Sequence, residues 1–250
     1  MVLVIDWSAL HEIAPFERYG MAHWWVWLIT LAVPVGLTLF VHRWPESRAG
    51  LQRGAAWFFA VLLVGNRFFA AYVSDKIGGV PSEEHLPLHI CDLVCFALAG
   101  ALIWRKAWLF QISYYWGMAG TLHGLLTPDL RAGFPHPMFF SFFVNHAGVV
   151  AGILTMIFLF GQRAAWRGAI VAWLALQAYV GVALVINLLL ETNYGYLRAP
   201  PANPSLIDYL GPWPWYLLSL QVLAMASFLI LYLPFHIFTS RTLPVEERRL

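Results

Sequence analysis

The chain of 250 residues is 60% apolar and only 11% charged, whereas soluble domains carry charge on roughly a quarter of their residues. That surplus of apolar surface excludes an ordinary water-soluble domain and calls for lipid around it. A formal charge of +2, with the basic residues scattered, also excludes the Lys and Arg stripe that a nucleic-acid partner requires.

Residues 1–20 lack the pattern of a removable signal peptide, because no positively charged stretch precedes a short apolar run with a small-residue cleavage site. Trp7, Leu10, Ile13 and Phe16 recur at helical spacing, which predicts a short interfacial helix. A hydrocarbon core of about 30 Å needs roughly 20 helical residues. Seven stretches meet that need, near 21–42, 53–73, 86–104, 107–126, 138–160, 168–191 and 213–237. The third and fourth are joined only by Arg105 and Lys106 and form an antiparallel hairpin. Between spans, PSEEHLP at 81–87, TPDLRAGFPHP at 127–137 and NYGYLRAPPANPSLIDYLGPWP at 193–214 are Pro-rich and stiff. Residues 238–250 are left as a polar tail.

The basic residues orient these spans. Arg43, Arg48, Arg53, Arg105, Lys106, Arg163, Arg167, Arg241, Arg248 and Arg249 fall on one side, against Arg18, Lys76, Arg131 and Arg198 on the other. This places the N-terminus outside and the C-terminus in the cytoplasm of a multi-pass protein of the cell membrane. Trp24, Trp25, Trp104, Trp108, Trp213 and Trp215 sit near span ends, where amphipathic rings favour the interface. The predicted fold is therefore all-α: an interfacial segment at 1–20, a single seven-helix transmembrane domain at 21–237, and a cytoplasmic tail at 238–250.

An ionisable side chain inside a span is costly and marks a candidate site. His23, Arg67, His89, Asp92, His123, His146 and Glu191 are such residues, joined by Asn66, Asn145, Asn187 and Cys91. In the topology above all of them fall in the outer half. Counting from the span ends puts Arg67, Cys91 and His146 roughly 7 to 12 Å below the outer surface. The cytoplasmic half is nearly free of polar groups apart from Gln111 and Gln177. This one-sided layer predicts a polar cavity open toward the outer leaflet. Asn145 and Asn187 suit either support of that site or hydrogen bonding between helices. Gly117, Gly120, Gly124, Gly148 and Gly152 suit close helix approach.

Cys91 and Cys95, the only cysteines, stack on one helical face and are expected as free thiols. A thiol attacks acyl carbonyls as thiolate, which a neighbouring imidazole or cation promotes. Cys91 and His146 supply a nucleophile and a base on facing spans. Arg67 suits a phosphate, and Asp92 or Asn145 suits orientation of the imidazole. Zinc held by His89, Asp92, His123 and His146 is the competing chemistry. Membrane zinc hydrolases usually carry a His-x-x-x-His pair on their last span, and here that span has only His236, which weighs against zinc and leaves it as the alternative; the preferred reading calls for no metal or cofactor.

Four segments, LPLHIC at 86–91, FFVNHAG at 142–148, TNYGYL at 192–197 and LGPWPWY at 210–216, together resemble the YwaF-like family of integral membrane proteins in order and spacing. A eukaryotic relative of that family is a transmembrane acyltransferase that moves fatty acyl chains between phospholipids through a cysteine and a histidine. The resemblance implies that Cys91 and His146 are the corresponding pair. It also brings Asn193 and Tyr194 of the third segment among the supporting residues, with Arg67, His89, Asp92, His123, Asn145 and Asn187. The more distant androgen-induced hydrolases use a threonine and a histidine on lipid esters. The expected function is acyl transfer or hydrolysis on a membrane phospholipid. The alternatives are a transporter or receptor for a small polar or amphipathic ligand, and a non-catalytic lipid-binding scaffold.

Overall fold

The computed structural model describes residues 15–77, 86–130, 132–201 and 205–242. The expected interfacial positions Trp7, Leu10 and Ile13, the loop at 81–85 and the tail beyond 242 lie outside the described residues. Phe16 is within them and packs on Phe139 and Phe143.

Helices account for 79% of the structure, and no strand occurs among the described residues. In chain order they are α1 (Met21–Arg43), α2 (Arg48–Ile77), α3 (Ile90–Trp104), α4 (Ala107–Trp116), a π-helical turn (Gly117–Thr121), α5 (Leu122–Leu126), α6 (Pro137–Phe158), α7 (Trp166–Leu190) and α8 (Trp215–Thr242). Five of them, α1, α2, α6, α7 and α8, are long and apolar enough to cross a membrane. The shorter α3 and the rod formed by α4, the π turn and α5 complete the bundle. The architecture is the all-α, multi-pass membrane type expected.

Burial explains the division of labour. Helix α3 packs against α2, α4 and α6, α1 lies on α6, α7 on α4, and α8 on α7 and the π turn. Every residue of α4 from Leu109 to Trp116 is buried. Its polar tips are satisfied across the bundle: Tyr115 Oη donates to the Ala165 carbonyl, Trp116 Nε1 to Ala172, and Tyr114 Oη to Leu231, each at 2.9 Å. The outer helices do the opposite. Leu218, Val222, Leu229 and Ile230 on α8 and Leu174, Val182 and Val185 on α7 are exposed, an arrangement water would penalise by about 25 cal/mol per Å² and lipid does not.

The helix ends follow local chemistry. Pro137 opens α6 with its missing N–H at a position that needs none, and the His136 Nδ1 accepts from the Met138 N–H at 3.1 Å. Arg105 and Glu191 adopt left-handed conformations, with φ of 54° and 56°, at the ends of α3 and α7.

Three spans differ from the sequence reading, the second by running longer at both ends, Arg48–Ile77 against 53–73. The third starts at Ile90 instead of 86, because the stretch before it is held extended by tertiary contacts. Leu86 precedes a proline, which disfavours the helical region, and the Leu88 carbonyl accepts the Tyr179 hydroxyl at 3.0 Å. The His89 ring lies 5.3 Å from that of Tyr194 and 5.8 Å from that of Tyr196. Cys91 therefore moves from the second turn of a helix to its first. The fourth span is broken by the π turn, which the apolar pattern does not reveal.

Candidate functional site

The polar residues of α2, α3 and α6 converge at the end of the bundle opposite the Arg105 and Lys106 hairpin. Arg67 Nη1 forms an ion pair with Asp92 Oδ1, both side chains being largely buried. Asn145 Nδ2 donates to the same carboxylate oxygen at 3.4 Å, and the Cys95 thiol donates to Asn145 Oδ1 at 2.8 Å. A continuous chain thus runs Arg67, Asp92, Asn145, Cys95 across three helices. A second link, Asn66 Nδ2 to the Ser141 carbonyl at 2.9 Å, ties α2 to α6 beside it. The pairing answers the question that a buried guanidinium poses, since an unpaired charge at such a depth is prohibitive. Arg67 Nε is nonetheless buried without a hydrogen-bond partner.

Cys91 is a free, half-buried thiol. With His89 as N-cap it is the second residue of α3. Arg67 lies within electrostatic range of both Cys91 and Cys95. It is also within range of His146. The His146 Nδ1 bonds the Phe142 carbonyl at 2.8 Å. A carbonyl only accepts, so Nδ1 carries the proton and Nε2 keeps its lone pair. The ring stacks on Phe142 at 4.1 Å and lies against Gly124, where a Cβ would collide with it. Glycine at 124 is thus what lets the imidazole sit between α5 and α6.

A second layer covers this end of the bundle. Asn187, fully buried at the end of α7, accepts from the Tyr194 N–H at 2.7 Å and the Thr192 hydroxyl at 2.9 Å, and donates to the Tyr194 carbonyl at 2.9 Å. Asn193 Oδ1 accepts from the N–H groups of Arg198 and Ala199, at 3.0 and 3.2 Å. Gly195 has φ of 68°, and a Cβ there would strike the Tyr179 hydroxyl, so the TNYGYL turn requires its glycine. The turn presses Tyr194 onto His89 and so buttresses the residue that caps α3.

The expected site residues therefore separate. Arg67, Asp92 and Asn145 are joined by direct contacts, and Cys91 and His146 lie within electrostatic range of the same guanidinium. Asn187, Asn193 and Tyr194 build the covering turn, and His89 is its contact with α3. Asn187 binds its own loop; it is not a link between helices. His123 is exposed on α5, because the π turn adds a residue to one helical turn and rotates everything after it relative to α4. Among the described residues no group of three His, Cys, Asp or Glu side chains assembles for a metal. Asp92 of the competing zinc set is engaged by Arg67 instead. His23 is buried within the bundle: its Nδ1 accepts the Tyr19 N–H at 3.1 Å and its Nε2 donates to the Leu125 carbonyl at 2.9 Å, pinning α1 to α5. Gln111 and Gln177 hold the 163–165 loop and α8.

The sequence reading passed over Thr121 and undervalued Cys95. Thr121 is fully buried, on the π turn that packs against α3. Its one signal is its place closing GMAGT, a glycine-punctuated stretch inside a span.

A family model for the TMEM164 family matches residues 18–232, from just before α1 into α8. The chain belongs to the TMEM164 family. That match takes in every residue of the buried cluster and of the turn that covers it. No curated protein and no solved structure matches the chain. The TMEM164 family is one of transmembrane proteins, in accord with the lipid-facing surfaces of α7 and α8.

Proposed function

We propose that this chain transfers or hydrolyses the acyl group of a phospholipid ester through an acyl-thioester on Cys91, with His146 as base and then acid. The observation that carries the reading is that Cys91, at the first turn of α3, and His146, whose Nδ1 is held by the Phe142 carbonyl, both lie within electrostatic range of the largely buried guanidinium of Arg67. The likeness of LPLHIC and FFVNHAG to the YwaF-like segments supports the same pair.

In this reading His146 Nε2 takes the thiol proton and the Cys91 sulfur attacks the ester carbonyl carbon. A C–S bond forms, the ester C–O bond breaks, and His146 returns the proton to the departing lysolipid oxygen. In the second half a lysolipid hydroxyl or water gives its proton to His146 as its oxygen attacks the thioester. The C–S bond then breaks, and the leaving sulfur recovers the proton. The unpartnered Nε of Arg67 suits a phosphate oxygen of the headgroup. We place the protein in the cell membrane with this end of the bundle outward, as the basic residues at the other end favour.

Kinetics on purified protein with a defined phospholipid test the proposal. Cys91→Ala is expected to abolish turnover, and His146→Ala to lower kcat by at least about a hundredfold. Arg67→Lys, which keeps the charge and loses the fork, should raise KM more than it lowers kcat. Turnover that survives Cys91→Ala and stops with a chelator would overturn it. Transport of a solute with no ester cleaved would favour the binding-protein reading.

A further inference from the structure

The π turn places one hydroxyl in an unusual position. Four helical hydroxyls bond back to their own backbone, Thr30 to Val26, Thr38 to Pro34, Ser113 to Leu109 and Thr155 to Ala151, between 2.7 and 2.8 Å, whereas Ser74 near the end of α2 and Thr121 in the π turn are buried without a partner. Bonding back is the usual way for a buried helical hydroxyl to be satisfied. For Thr121 the corresponding acceptor would be the Gly117 carbonyl; in the π register that carbonyl accepts the N–H of Leu122, and the Thr121 hydroxyl makes no bond back to it. Thr121 Oγ1 is left buried, with no hydrogen bond to any group, on the π turn that packs against α3; Gly117 at the start of that turn lies against Val94, and one turn further along the antiparallel pair brings Thr121 to the level of Cys91, with which it interacts electrostatically. An unmet buried hydroxyl is costly, on the order of 1–3 kcal/mol, and such groups persist where a function uses them. Turns of this kind are themselves frequent at functional sites. Gly124, one turn further on the same short helix, is the residue against which His146 rests. One irregular segment thus carries both the hydroxyl beside the sulfur and the seat of the imidazole.

We infer that Thr121 is a further catalytic residue, whose hydroxyl donates a hydrogen bond to the Cys91 sulfur as the thiolate forms. This deepens the acyl-transfer reading and rests on it. The hydroxyl keeps its own proton throughout: the thiol proton goes to His146, and Thr121 O–H only turns toward the charged sulfur. A neutral donor suits this position. It stabilises the thiolate without competing with Arg67 for Asp92, and it releases the sulfur readily once the thioester has formed.

The test measures thiol reactivity separately from lipid chemistry. Full-length protein in lipid nanodiscs is treated with iodoacetamide, and carbamidomethylation of Cys91 and Cys95 is followed by peptide mass spectrometry in wild type, Thr121→Val and Thr121→Ser. Loss of a hydrogen bond to a charged sulfur should slow Cys91 modification in Thr121→Val by about tenfold or more. Thr121→Ser should stay within about threefold of wild type, and modification of Cys95 should be unchanged. If the valine variant does not fold, Thr121→Ala against Thr121→Ser carries the same comparison. Equal rates in the variants with and without the hydroxyl, or no modification of Cys91 in wild type, would overturn the inference. Thr121-dependent modification in a protein that never takes up an acyl group from phospholipid would retain the hydroxyl's role toward the thiol and reject acyl transfer.

Discussion

Replacing Asp92 by Ala isolates the interaction on which the cluster depends. The side chains of Arg67 and Asp92 are only 13% and 10% exposed, so solvent screening weakens their attraction little. Removing one partner of such a pair leaves an uncompensated buried charge and costs about 3–5 kcal/mol. Asn145 Nδ2 loses its acceptor as well, which adds about 1 kcal/mol. Equilibrium unfolding in mixed detergent micelles should therefore show Asp92→Ala less stable than wild type by about 4–6 kcal/mol. The double substitution Arg67→Met with Asp92→Leu removes both charges and should recover at least about half of that loss, because apolar replacement of a buried pair is often neutral. If the single substitution cost under about 1 kcal/mol, or the double fared no better than the single, the pair would not be the electrostatic anchor described here.

Three further outcomes follow from individual contacts. Cys95→Ala removes the donor to Asn145 Oδ1 and should lower stability by about 1–2 kcal/mol in the same assay, while leaving turnover of phospholipid near wild type. Asn187→Ala strands the Tyr194 N–H, its carbonyl and the Thr192 hydroxyl; it should cost about 3–5 kcal/mol and expose the 192–198 turn to proteolysis before the helices open. A cysteine placed at Ser47, in a chain whose two native cysteines are Ala, should resist an impermeant thiol reagent added to intact cells, and labelling from outside would reverse the proposed orientation.

The fold was legible because a bilayer punishes exceptions. Twenty apolar residues in a row admit few structures, and the starts of α1, α6, α7 and α8 at Met21, Pro137, Trp166 and Trp215 lie within two residues of those read from hydropathy. Arg67 and Asp92 stood out for the same reason, since ions in lipid are rarely there by accident. What escaped was local backbone geometry set by distant partners. The late start of α3 depends on Tyr179 reaching Leu88 and on two tyrosines flanking His89, contacts from α7 and its following turn. The π turn at Gly117–Thr121 leaves hydropathy unchanged, yet it turns His123 outward and Thr121 inward. Asn187 read as a site residue because it is polar near a span end, and Asn193 because it belongs to the TNYGYL segment; the amides of both bond within the covering turn. Cys95 was legible as a buried thiol, but its bond to Asn145 required the third dimension.

The most direct measurement of the central claim is the mass of the Cys91 peptide after purified protein has met a phospholipid of one defined acyl chain. The account predicts an added mass of that acyl group on Cys91 and not on Cys95, removed by neutral hydroxylamine, formed slowly in His146→Ala and absent in Cys91→Ala. Phospholipid turnover with Cys91 unmodified at every time point, or undiminished in Cys91→Ala, would contradict it.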